Sequence, residues 1–209
     1  MPAQATVLVI SARCASESAR GPEKTAADPR QPAALETVMV TIRKEQPSDI
    51  PAVHAINEEA FGQPTEADIV DAIRAACPDA LSLVALTGEE PVGHIFFSPV
   101  TIQSEKGGVT GMGLAPMAVL PAHQRQGIGS RLVNKGLDTL RRDGCPFVIV
   151  LGHPAYYPRF GFAPASTQHI GCQWEGVPDN AFLALILDTS RMEAVSGVAR
   201  YRDEFDQAI

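Results

Sequence analysis

The sequence predicts a single α/β domain whose mixed sheet carries helices on its faces. Three observations support this. Apolar runs of strand length alternate with segments of helical period from residue 39 onward. A short polar turn between two early runs makes an antiparallel hairpin. A strand–helix–strand unit in the middle of the chain requires strands of mixed direction.

Residues 40–46 read as the first strand. Ser48 or Asp49 is placed to cap a helix in which Ile50, Val53, Ile56 and Ala60 recur at helical spacing. Gln63-Pro64 interrupts it, and Thr65-Glu66-Ala67-Asp68 resembles a capping box opening a second helix with Ile69 and Ile73 on one face. Strands at 81–87 and 92–102 follow, joined by the turn Gly88-Glu89-Glu90-Pro91. A loop at 105–108 leads to a strand over 109–119. It contains Pro116, which lacks a ladder donor and so predicts a bulge or broken pairing. The next helix runs from Gly127 to Arg142, with Ile128, Leu132, Leu137 and Leu140 inward and Gly144 as its stop. The uninterrupted apolar runs 147–151 and 182–187 are buried strands.

Residues 1–38 are rich in Ala, Pro, Ser and Arg and lack periodicity, so they read as a disordered extension or an early start ahead of Met39. Glu17, Glu23, Asp28 and Glu36 argue against a transit peptide. The folded domain is expected over 39–209.

With 17 Lys and Arg against 24 Asp and Glu, the net charge is -7, and no basic cluster is present. That excludes a nucleic-acid partner, whose affinity rests on cations at phosphates, and is compatible with a cationic substrate. Cys14, Cys77, Cys145 and Cys172 form no CxxC or Cys/His spacing, so no metal is expected and the thiols read as reduced. No run reaches the roughly 20 apolar residues of a membrane helix. These features point to a soluble, cytoplasmic protein.

Chemistry concentrates where the strand ending Met117-Ala118-Val119 enters Gln124-Arg125-Gln126-Gly127-Ile128-Gly129-Ser130. A strand running through a Gly-rich turn into a helix offers unpartnered N–H groups at the positive end of the helix dipole, and glycines let a diphosphate approach them. The segment lacks the Lys-Ser/Thr of a triphosphate loop and is not GxGxxG.

The string 119–133, VLPAHQRQGIGSRLV, resembles the acetyl-CoA motif of the GNAT (GCN5-related N-acetyltransferase) superfamily, Q/R-x-x-G-x-G/A, with Gln124, Gly127 and Gly129 at its fixed positions. The later string 152–162, GHPAYYPRFGF, is similar to the YhbS-like branch of that superfamily, with Tyr157 four residues before Gly161-Phe162. The resemblance implies the superfamily's acyl-CoA N-acyltransferase fold, including a splayed strand pair, and acetyl-CoA as cosubstrate. It places the pyrophosphate on the amides of 125–130 and the pantetheine arm along Met117, Ala118 and Val119. It further implies direct attack by a primary amine, with Tyr157 as donor to the leaving thiolate and a backbone N–H near Val119 for the oxyanion.

The strand over 111–119 holds no acid, which leaves the base open among His94, Glu66, His153 and a chain of waters. Arg159 is either an anion clamp or a solvated cation. Trp174 packs the core or a loop, and Glu58, Glu59, Asp68 and Asp71 face solvent or the amine side of the cleft. The acceptor, a small molecule or a peptide N-terminus, is contacted by 52–78 and residues after 163. A homodimer is compatible with such folds. A coenzyme A-binding module without catalysis is the alternative reading, which Tyr157 disfavours; a dinucleotide-binding domain fits less well because the loop lies deep in the chain.

Overall fold

The alternating pattern becomes a twisted sheet in which every element beyond residue 39 has a defined neighbour. The computed structural model describes residues 39–104 and 107–208; the expectation for 1–38 and the tip of the predicted 105–108 loop lie outside them. In order, the elements are β1 (Val40–Lys44), α1 (Ile50–Phe61), α2 (Thr65–Ala76), β2 (Leu81–Thr87), β3 (Glu90–Ser104), β4 (Gly107–Val119), α3 (Ile128–Arg142), β5 (Phe147–Leu151), β6 (Ala163–Pro164), β7 (Ile170–Cys172), β8 (Phe182–Ile186) and β9 (Gly197–Arg200).

The main sheet runs β1-β2-β3-β4-β5-β8-β6. Its neighbours are antiparallel except β4 and β5, which the α3 crossover makes parallel. β9 pairs with β3 at residues 101–103, and β7 runs parallel to β9. The C-terminal part of the chain is thereby built into the sheet beside the distal half of β3.

Strand alternation sorts the core into two layers. Val84, Phe96, Val100, Phe147 and Ile149 pack against Val53, Ile69, Val70 and Ile73 of α1 and α2. Leu83, Ile95, Phe97, Val148 and Val150 pack against Ile128, Leu132, Val133 and Leu137 of α3. The inward residues predicted for α3 are all buried, and Gly144 follows the helix at φ +74°.

Several local expectations change. The β2–β3 turn is tighter than predicted: Thr87 faces Glu90, so Gly88-Glu89 makes the turn and Pro91 lies in β3. Residues Pro47–Asp49 form a 3-10 turn, and the Asp49 carboxylate accepts from Arg43 at 2.5 and 3.0 Å and from Gln46 N–H at 2.7 Å. It therefore makes no side-chain cap for α1. The capping box at Thr65 does not form, because Pro64 already has helix-like angles and Thr65 is the first residue of α2. In α1, Asn57 joins Val53 and Ile56 on the buried face, while Ile50 and Ala60 are only half-buried.

The bulge expected at Pro116 is present. Ile95 faces Met117 and Phe97 faces Leu114, so Phe96 alone stands opposite Ala115 and Pro116. On the other side, β4 and β5 pair only at Met112–Val148 and Gly113–Ile149 among the described residues. Beyond Gly113 the two strands part, and a gap opens inside the sheet toward the start of α3.

Candidate active site

The open end of that gap is formed by the turn between β4 and α3. Gln124 Nε2 donates to the Val119 carbonyl at 2.9 Å and closes the end of β4. Arg125 at φ +59° and Gly127 at φ +81° then reverse the chain, so that Gly127 caps α3 and the helix begins at Ile128. Gly127 is required by its left-handed backbone, and a Cβ there would meet nothing within 4 Å, so the space above it is open. Arg131 N–H bonds to the Gly127 carbonyl at 3.1 Å, which leaves the N–H groups of Ile128, Gly129 and Ser130 facing outward from the first turn. The fully buried Ile128 side chain anchors this turn to the sheet.

Two side chains complete the rim: Arg159, which the sequence left open as an anion clamp or a solvated cation, and Tyr156, to which sequence reasoning gave no role. Arg159 Nη2 donates to Ser130 Oγ at 2.9 Å, and its guanidinium lies 4.0 Å over the Tyr156 ring. The cation is exposed yet held beside the α3 amides, which favours the anion-clamp reading over a freely solvated one. Tyr156 places its hydroxyl 2.9 Å from where a Gly129 Cβ would lie, with the Met117 sulfur 3.5 Å from that point. The paired tyrosines Tyr156-Tyr157 were the available signal.

Met117, Ala118 and Val119 form the last stretch of β4, paired among the described residues with Ile95, His94 and Gly93 on one edge only. Of the sequence-predicted cofactor contacts, Met117, Gly127, Gly129 and Ser130 thus gather at one end of the gap. Gln124 acts on the β4 terminus instead, and Gln126 donates to the Ala122 carbonyl at 3.1 Å.

Tyr157 begins a 3-10 turn, Tyr157–Phe160, just past β5. Its ring packs against the backbone of Gly152, where an added methyl would collide with it, and lies edge-on to Tyr156 and Phe162. The side chain is fully buried, and its hydroxyl has no hydrogen-bond partner among the described residues. Burial, then the neighbouring Tyr156, raises its pKa, so the phenol stays protonated.

His94 does not fit the role of base. It is fully buried on the α1/α2 side of β3. Asn57 Nδ2 lies 3.0 Å from Nδ1 and Ser82 Oγ lies 2.9 Å from Nε2. Burial, then the Arg74 charge, lowers its pKa to about 3. Glu45 Oε2 is 3.7 Å from Nε2, beyond hydrogen-bond range, with Ser82 between them. An imidazole with both nitrogens engaged has no lone pair for an incoming ammonium.

Glu66 is buried with Gln63 Nε2 at 3.1 and 3.2 Å, whereas His153 is exposed, its Nδ1 accepting from Ala155 N–H at 3.2 Å. Glu58, Glu59 and Asp68 face solvent, while Asp71 is half-buried between His54 and Arg74. Trp174 lies against Tyr201 at 5.0 Å, and its Nε1 donates to Asp206 at 3.2 Å.

A family model described as an acetyltransferase (GNAT) domain matches residues 41–165, which span β1, the gap and the Tyr157 turn. The chain belongs to the GNAT family. The uncharacterized N-acetyltransferase YhbS of Escherichia coli (strain K12) is 35% identical over 167 residues, covering 79% of this chain and 98% of its own. The uncharacterized N-acetyltransferase YjhQ of the same strain is 42% identical over 122 residues, 57% of this chain and 67% of its own. The crystal structure of E. coli YhbS in complex with CoA matches this GNAT chain at a TM-score of 0.76 and 33% identity, over 87% of this chain and 96% of that one. A GNAT acetyltransferase from Brucella melitensis in complex with acetyl-CoA matches at 0.66 and 35%, over 81% and 99%.

Proposed function

We propose that this GNAT protein transfers an acetyl group from acetyl-CoA directly to a primary amine of a small molecule or peptide. The observation that carries the reading is the one-sided pairing of β4 beyond Gly113, ending at an uncovered Gly127 turn. A gap inside a sheet offers main-chain groups to an amide-containing arm, while the start of α3 offers N–H groups to a diphosphate. The solved YhbS and Brucella relatives, named as complexes with CoA and acetyl-CoA, support the same ligand here.

On this reading Ile128, Gly129 and Ser130 amides hold the diphosphate with Arg159 beside them, and Met117 to Val119 carry the pantetheine arm. The neutral amine attacks the thioester carbon, forming the C–N bond as the C–S bond breaks. The nitrogen loses one proton and the departing sulfur gains one. Tyr157 supports the sulfur: a neutral buried phenol without a partner is ready to donate a hydrogen bond to a developing thiolate. Proton removal from the ammonium falls to Glu66 or to water rather than to His94.

The test is release of free CoA thiol across a panel of polyamines, amino acids, aminoglycosides and peptide N-termini. Acetylation of at least one amine that depends on Tyr157 is expected. Binding of acetyl-CoA without turnover on any primary amine would favour a coenzyme A-binding module instead.

A further inference from the structure

Buried hydroxyls without partners are rare because each costs its desolvation. Among the described residues, Ser98, Tyr157 and Tyr201 all carry one. Ser98 is fully buried and Tyr201 nearly so.

The first and third residues both border one β4 residue, Gly113. Ser98 stands opposite Gly113 in the β3–β4 register. A Cβ on Gly113 would lie 2.7 Å from Tyr201 Cε1, so the Tyr201 ring rests on the same glycine. Alternation from Phe96 and Val100 puts Ser98 on the α1/α2 side of the sheet, and Tyr201 packs in that same layer. Gly113 is also the last β4 residue paired with β5, so these two side chains border the closed end of the gap. Tyr157 belongs to the opposite layer. Its phenol is near enough to contribute, after burial and Cys172, to the raised pKa of Tyr201.

Tyr201 is held firmly. Its ring lies edge-on to Phe205 at 5.5 Å and against Trp174 at 5.0 Å, and its N–H donates to Gln173 Oε1 at 2.7 Å. A clamped ring ending in an unpaired hydroxyl is preorganised for a ligand rather than for packing.

We propose that Ser98 and Tyr201 form the acceptor subsite: their hydroxyl oxygens receive the N–H bonds of the attacking amine on the face of the sheet opposite Tyr157. This rests on the transferase reading above. The nitrogen reaches the thioester carbon from the α1/α2 face while the sulfur is supported from the α3 face, so bond formation and bond breaking are served from two sides. Ser98 and Tyr201 bind and orient the nucleophile; the proton that nitrogen loses is matched by the proton that sulfur gains.

The test compares two probes by titration calorimetry: CoA itself, and a conjugate in which the CoA sulfur is joined through CH2–C(O) to the nitrogen of propylamine. The conjugate presents an amide N–H where the nucleophile stands. It should bind the native protein about tenfold more tightly than CoA, roughly the worth of one hydrogen bond, and because its single N–H is shared by the two oxygens, Tyr201→Phe or Ser98→Ala should each remove about threefold of that gain, with CoA affinity unchanged. Tyr201→Phe keeps the ring and removes an unpaired hydroxyl, so its Tm should not fall. A conjugate that gains nothing over CoA, or variants that leave the gain intact or weaken both probes equally, would overturn the subsite. Failure of the native protein to bind CoA would instead sink the transferase reading.

Discussion

The side-chain amide of Asn57 donates to Nδ1 of His94 across 3.0 Å, and the tautomer of a fully buried imidazole follows from that contact. The amide cannot be reversed, since Nδ2 also donates to the Val53 carbonyl at 2.8 Å. Nδ1 is thus an acceptor, Nε2–H donates to Ser82, and Ser82 donates to Glu45, which Arg74 holds through two nitrogens. The chain of bonds is complete with His94 neutral.

Acid stability should record this. The native pKa of His94 lies near 3, below its unfolded value, so the contribution is present above about pH 6.5 and is lost as pH falls toward the native value. Each such proton costs about 1.4 kcal/mol per pH unit over that window. His94→Gln should be less stable at neutral pH, and its deficit should narrow as the pH falls to about 4, measured by urea unfolding. A deficit constant across that range would mean that His94 carries its proton in the native state.

Gly127→Glu puts bulk and negative charge where the diphosphate is proposed to lie. Acetyl-CoA affinity should drop by about 100-fold or more, since like charges in contact cost several kcal/mol. Gly127→Ala is the control. The added methyl enters open space, but the left-handed backbone costs about 1 kcal/mol of stability, so melting should shift while affinity holds.

Tyr157→Phe removes only the unpaired hydroxyl. An expected loss in kcat of about 100-fold, with KM for acetyl-CoA held within about twofold, would mark transition-state support rather than binding. Tm should stay level or rise, because no hydrogen bond is lost.

Gly152→Ala tests the same phenol from behind. The new methyl meets the Tyr157 ring, so the variant should lose about 1–3 kcal/mol of stability and much of its kcat. In a Tyr157→Phe background the further loss in kcat should nearly vanish, since the group being displaced has already gone.

Elements with a clear period and a punctuating residue were legible in the sequence: β2 and β5 match their apolar runs, and α3 ends where Gly144 stops it. The Gly127 turn was legible because its chemistry is that of bare backbone, which glycines announce. β6, β7 and β9 were not, because strands of two to four residues have no period and are defined by the partner they meet. His94 stayed open as one of four candidate bases for a related reason: the residue type is visible in the chain, but its partners Asn57 and Ser82 come from other elements. Ser98 and Tyr201 stand out only through what they fail to contact, a property that no linear pattern carries.

The parting of β4 from β5 has a consequence for the life of the protein. Two runs of peptide groups end up inside a sheet with no ladder to join among the described residues, a demand that those residues leave unmet. A ligand rich in amides satisfies it and, by mass action, adds to the stability of the occupied form. Survival against proteolysis should therefore rise and fall with the supply of acetyl donor, tying the abundance of the enzyme to the metabolite it spends.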